Sequence, residues 1–234
     1  MAEACASPAE QAGQPPVQAQ SEVLSARQQA IPLIAACMAA SDMPQLNLAL
    51  NQGLDAGLTL NEAKEILVQL YAYVGFPKSL NALEALRKVV EQRRQRGIED
   101  AVGAEPSRAI PTGDALRAVG KANQTKISGA PVKNAVTDFA PVIKQFLQTH
   151  LFGDVFERDN LDWQSRELAT VGALAATPGV EAQLRSHISA SLRVGLATSQ
   201  LRQVIQILAR KGHAQAAERA ETALAQVLAS MPER

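Results

Sequence analysis

Aromatic residues are scarce, with one Trp, two Tyr and five Phe in 234 residues. Sandwiches and barrels draw on aromatic and β-branched side chains, so this scarcity argues against an all-β fold. Only two cysteines are present, Cys5 and Cys37. They form no Cys-x-x-Cys and no metal-ligand spacing, which excludes a disulfide framework and a thiolate metal site. His150 and His213 are too isolated for metal-ligand spacing, so no metal is assigned. Charge of one sign is also lacking: Lys+Arg and Asp+Glu both number 23, and no general basic field points to nucleic acid. The longest apolar run, Ala30 to Ala40, falls short of the roughly 18 residues of a spanning helix, so no membrane partner is expected. There is no Gly-rich phosphate loop and no Ser elbow. The N-terminus has neither a basic n-region nor an apolar h-region, so a cytoplasmic protein is expected. The periplasm is the alternative if AEACASPAEQ follows a removed leader.

What is present is 47% apolar residues, rich in Ala and Leu beside Gln and Arg, a composition that favours helices. The most informative stretch is Gln183 to Leu196, QLRSHISASLRVGL. As a helix it places Leu184, Ile188 and Leu192 on one face, with Ser191 and Gly195. His187 falls on that same face. Leu46 to Leu58, LNLALNQGLDAGL, has the same layout. Laying Gly57-Leu58 on Gly195-Leu196 gives an offset of 138 residues (195 − 57), which puts Ala49 where His187 stands. One copy carries an imidazole on its inner face and the other a methyl group.

The remaining chain reads as two helical repeats around these helices. Residues 1–21, rich in Ala, Gln and Pro, read as a disordered tail. The first repeat, 22–97, opens with a helix over Glu22 to Ala40. Asp42 or Met43 caps the next helix, Gly57 closes it, and Thr59-Leu60-Asn61-Glu62 matches a capping box. Gly75-Phe76-Pro77 breaks the chain before a helix to about Gln95. Residues 98–135, richer in Gly, Pro, Ser, Thr and Asn, read as a linker with room for a short helix, lying over the surface. The second repeat, 136–234, has a helix over about Val136 to Leu151, a cap at Asp162, the His187 helix, and helices over about Thr198 to Arg210 and His213 to Ser230.

Chemistry centres on His187 and Glu167. Burying an imidazole costs free energy unless it is hydrogen-bonded, and Ala49 shows that packing alone does not require one. Glu167 lies 20 residues earlier, on the preceding helix, and two antiparallel helices with a short turn bring such positions together. Its first-repeat counterpart, in Arg27-Gln28, has no carboxylate. A Glu–His pair fits proton transfer. The competing readings are a core histidine bonded to a backbone carbonyl, and a salt bridge from Glu167 to Arg166 or Arg185. Glu62, Glu65 and Lys64 read as a solvated face behind the capping box, Tyr71 and Tyr73 as core or interface aromatics, and Cys37 as an inert core thiol.

LNLALNQGLDAGLTLNEAKEILVQLYAYVGFPKSLNAL resembles the repeat of the carboxymuconolactone decarboxylase family. FAPVIKQFLQTHLFGDVFERDNLDWQSRELATVGALAA followed by QLRSHISASLRVGL resembles a second copy. The resemblance covers roughly residues 24–96 and 136–212. It implies an all-α duplicated helical-bundle repeat that oligomerises, here expected as a homotrimer. It also implies a cofactor-free carboxy-lyase or isomerase acting on a small carboxylated lactone or related acid. Loss of CO2 leaves an enolate, which the site must stabilise and then protonate. His187 is the expected catalytic proton donor, Glu167 its orienter, and Arg166 or Arg185 the substrate-binding carboxylate anchor. In the family's alkyl hydroperoxidase D branch a Cys-x-x-Cys pair precedes the His. Val180 and Gln183 occupy those positions here, and about Asp42 and Gln45 in the first copy, so a thiol peroxidase is not expected. The second copy also ends in Ala209-Arg210-Lys211-Gly212-His213 in place of the family's Tyr-x-Gly-x-Pro. The alternative function is a non-catalytic oligomeric binding or scaffold protein of the same fold.

Overall fold

A computed structural model describes residues 23–231; the tail read over residues 1–21, with Cys5, lies outside them. All regular structure among the described residues is helical. In chain order the first half contains α1 (Ala26–Ala40), α2 (Met43–Asp55), α3 (Leu60–Gln69), α4 (Tyr71–Val74) and α5 (Phe76–Gln95). Then come α6 (Gly113–Ser128), α7 (Ala135–Phe139) and α8 (Pro141–Phe146), which runs directly into a π-helical segment, Leu147–Val155. The chain continues through α9 (Trp163–Ala175), α10 (Glu181–Arg193), α11 (Thr198–Arg210) and α12 (Ala214–Ala229).

Local chemistry sets the helix starts. The Asp42 side chain accepts from Gln45 N at 3.1 Å and the Asp162 side chain from Ser165 N at 2.8 Å, each satisfying a donor that the first turn leaves free. Thr59 and Glu62 form the reciprocal capping box at α3. Gly57 and Gly195 end α2 and α10 at φ 91° and 98°, in the left-handed region where glycine carries no penalty. The first residues of α10, α11 and α12 fall 138 positions after those of α2, α3 and α5 (181 − 43, 198 − 60 and 214 − 76).

Two segments differ from the sequence reading. The linker region holds α6, a helix of 16 residues rather than a short one. Upstream of α6 its carbonyls cover the start of α3: Leu60 N donates to Ala101 O and Asn61 N to Val102 O, both at 2.9 Å. The helix expected over Val136 to Leu151 is broken at Ala140, which takes φ −125° and ψ 78° because the following Pro141 disfavours helical backbone there.

The core sits where α1 crosses α9, the most extensive helix pairing in the molecule. Ala35, Ala36 and Ala39 of α1 and Ala169 and Ala173 of α9 are buried there. A Cβ at Gly172 would overlap the Pro32 carbonyl, so the two backbones approach as closely as glycine allows. Small side chains and close backbone contact thus do the packing that the missing aromatics would otherwise provide. A second, smaller apolar cluster joins Ile127, Leu151, Phe152, Val155, Phe156 and Ala190. Tyr73 packs against both clusters.

Candidate active site

Helix α9 carries Glu167 into the interior, where the residue is 0% exposed. The next helix, α10, returns antiparallel and presents His187 from its apolar face, between buried Leu184, Ile188 and Ser191. His187 Nδ1 lies 2.9 Å from Glu167 Oε2. With an ionised carboxylate, Nδ1 carries the proton and donates it, which fixes the ring tautomer and leaves Nε2 with its lone pair. The His187 side chain is 15% exposed, and no protein partner engages Nε2 among the described residues.

Tyr73, from the short helix α4 of the first half, sets its ring edge-on to the imidazole, with centroids 5.3 Å apart at 82°. Its hydroxyl is buried without a hydrogen-bond partner, as is Glu167 Oε1. Burial, reinforced by the Glu167 carboxylate, pushes the Tyr73 hydroxyl well above its ordinary range; the Thr170 hydroxyl and the Arg166 charge pull weakly the other way. Thr170 donates its own proton to Arg166 O at 2.9 Å and accepts from Gln69 Nε2 at 3.1 Å.

His187 lines a cleft of about 300 Å³ between α10, the end of α6 and the π-helical segment. Ile127, Val132, Phe152 and Ala190 give it apolar walls; Ser128, Ser186, Ser189 and Arg193 supply polar groups. The volume lies at the lower end of the range of small-molecule clefts, and the lining mixes apolar walls with a few polar groups.

The structure brings Glu167 and His187 together and places both arginines elsewhere. Arg166 is fully buried and faces the first half. It donates to Glu65 Oε1 at 3.0 Å, Gln69 Oε1 at 2.9 Å and Arg158 O at 2.6 Å. Burial lowers its pKa, and the Glu65 charge offsets part of that. Adjacent positions on a helix point about 100° apart, which is why Arg166 and Glu167 serve different neighbours. Arg185 is exposed and reaches Gln226 Oε1 on α12 at 3.3 Å. Neither arginine lines the cleft. Neither forms the salt bridge to Glu167 that competed with the His pairing; the carboxylate's ion partner is His187.

Glu65 is not part of a solvated face: it is buried and holds Arg166 and Arg158. Glu62 pairs with Arg27, and Gln28 turns back to its own cap, accepting from Ser25 N at 3.0 Å. Reading residues by type missed Tyr73 and Arg193. Tyr73 had one signal, its place in the Tyr-x-Gly-x-Pro pattern; Arg193 had only its position one turn past Ser189 on the cleft side of α10.

Cys37 is buried in α1 with its Sγ 3.4 Å from His213 Nε2. Burial, and then the nearby Asp42 charge, raise its pKa to about 12. Among the described residues no three His, Cys, Asp or Glu side chains gather as a metal site would require, and no helix is long and apolar enough to cross a membrane.

No curated protein matches the chain. Residues 141–226 match the model of the carboxymuconolactone decarboxylase family, a span that runs from α8 into α12 and contains Glu167, His187 and Arg193. Residues 141–226 thus form a carboxymuconolactone decarboxylase family domain.

Proposed function

We propose that the chain is a cofactor-free lyase or isomerase acting on a small carboxylated lactone or related acid, with His187 and Glu167 as its acid–base pair. The observation that carries this reading is the 2.9 Å contact between Glu167 and His187 Nδ1 beside a cleft that His187 lines. When the carbon–carboxylate bond breaks, its electron pair stays on the substrate carbon and spreads into the conjugated carbonyl as an enolate. The imidazolium Nε2–H then gives its proton to that carbon, and Glu167 holds the ring charge and orientation through Nδ1. Tyr73 packs on the ring edge and keeps it aimed at the cleft. The isomerase variant of the reaction uses the same nitrogen to remove and return a proton.

The polar groups converging on the cleft favour a catalyst over a scaffold that kept only the fold. Thiol-based peroxide reduction has no nucleophile here: Val180 and Gln183 occupy the dithiol positions, and Cys37 is a buried neutral thiol. The same reading takes the chain as two copies of one repeat, supported by the common spacing of three helix starts. It also takes the working assembly as a homotrimer. Exposed Val136, Phe139, Val142 and Phe146 on α7 and α8 support self-association, Phe139 being 91% exposed.

The test is release of CO2 from a carboxylated muconolactone by the purified full chain. The reading expects turnover that falls at least a hundredfold in His187→Ala. Absence of turnover on this substrate and on related carboxylated lactones would count against it.

A further inference from the structure

Arg193 lines the same cleft as His187, six residues further along α10. Among the described residues no carboxylate pairs with it, in contrast to Arg93, Arg158 and Arg166, which each hold one. Its head group is seated against Gly129, the residue that ends α6 at φ 79°. A Cβ there would lie 2.6 Å from Arg193 Nε. Glycine at this position therefore serves the left-handed cap and also leaves space for the guanidinium. The negative end of the α6 dipole beside it favours the charged head in that place.

We propose that Arg193 is the specificity-determining anchor of the cleft, holding a substrate carboxylate that the reaction leaves in place. Three observations support this. First, the guanidinium is a planar donor with no protein acid to answer it, and carboxylate is the group its geometry matches best. Second, six residues of helix set the two backbone positions about 9 Å apart along the α10 axis, a spacing comparable with the length of a small acid. Third, pairing Arg193 with the leaving carboxylate would oppose the reaction. Decarboxylation removes charge from that group, so an ion pair to it stabilises the ground state more than the transition state. The group held by Arg193 is consequently not the group that reacts beside His187. The apolar side chains of Ile127, Val132, Phe152 and Ala190 take the body of the molecule between the two ends. The ligand class is a small acid with one retained carboxylate, and its fit is set by charge at one end and by volume in the middle.

This inference rests on the acid–base reading only for the identity of the reacting group. Its test is binding. The full chain is titrated with 5-oxotetrahydrofuran-2-carboxylate and with its methyl ester, by calorimetry at low salt, in wild type, Arg193→Gln and His187→Ala. Wild type is expected to bind the acid at least tenfold more tightly than the ester, with the preference shrinking as salt is added. Arg193→Gln is expected to lose at least tenfold for the acid and to leave the ester unchanged, with an unaltered melting temperature because the residue is exposed. His187→Ala is expected to keep the preference for the acid. Three results overturn the assignment: equal binding of acid and ester by wild type, acid binding by Arg193→Gln within twofold of wild type, or no saturable binding of the acid. If the Arg193-dependent preference is present and no carboxylated lactone is ever turned over, the acid–base reading fails and the Arg193 assignment stands.

Discussion

Arg166 of α9 donates to Glu65 of α3 at 3.0 Å, and both side chains are out of reach of solvent. The pair ties the second half to the first through charge rather than through apolar contact. Gln69 adds to the tie, donating from Nε2 to Arg166 O at 2.9 Å and accepting from the guanidinium. Removing the acid leaves a buried cation without its counter-charge, a loss that typically costs about 3–5 kcal/mol. Glu65→Gln should therefore lower the denaturant midpoint strongly, with both halves unfolding in one transition. Glu84→Gln, which removes an exposed partner of Arg87, should leave the midpoint where it is.

Gly172 offers a second test of how the halves meet. A methyl group there would run into the Pro32 backbone, which no side-chain rotation relieves. Overpacking a core contact of this kind costs typically about 1–3 kcal/mol. Gly172→Ala should lower the melting temperature even though alanine is the better helix former. A rise in melting temperature would mean that α1 and α9 have room the structure does not show.

The Cys37 thiol gives a prediction about pH. Its pKa is raised from an ordinary 9.0 to about 12 in the folded chain, so the folded state keeps a proton that the unfolded state gives up. The stability this contributes is fully present below pH 9 and is lost as pH climbs towards 12. Denaturation measured in steps across that window should show wild type losing stability faster than Cys37→Ala. At pH 8, iodoacetamide should label the Cys37 peptide of the unfolded chain and spare that of the folded one, as followed by mass spectrometry.

Much of this was legible in the sequence because the signals were local. The Thr59 box, the Asp162 cap and the glycines at 57 and 195 each depend on a few neighbouring residues. The Glu167–His187 pair was legible because the two lie on consecutive antiparallel helices, so one short connection determines their meeting. What stayed hidden depends on distant partners. Glu65 follows a capping box and reads as solvated until α9 covers it. Arg166 reads as available to a substrate until Glu65 claims it. Tyr73 reaches the site only because α4 packs beside α9, and Arg193 reaches the cleft only because α6 ends on it. The length of α6 was obscured by a Gly- and Thr-bearing sequence with weak helix propensity, which tertiary packing overrides.

The sequence also suggests that His187→Ala should be mild, because Ala49 fills the corresponding place. The structure changes that expectation. Glu167 Oε1 already lacks a partner, and deleting the imidazole leaves the whole carboxylate buried and unanswered. His187→Ala should then be destabilised by a few kcal/mol, of the order of 3. Adding Glu167→Gln, which removes the charge, should restore part of that loss. The double variant being less stable than His187→Ala alone would contradict the pairing. His213 is a poor control because it touches Cys37, whereas exposed His150, paired with Asp154 at 2.7 Å, is a suitable one.

The central claim is that Glu167 and His187 act as one acid–base unit at the cleft. The most direct measurement is CO2 release from a carboxylated muconolactone at fixed folded fraction, by wild type, Glu167→Gln, His187→Ala, the double variant and His150→Asn. The account predicts losses of about a hundredfold or more in His187→Ala, scarcely greater loss in the double variant, and wild-type rates in His150→Asn. Equal rates in wild type and His187→Ala, or losses in the two single variants that multiply fully in the double one, would contradict it.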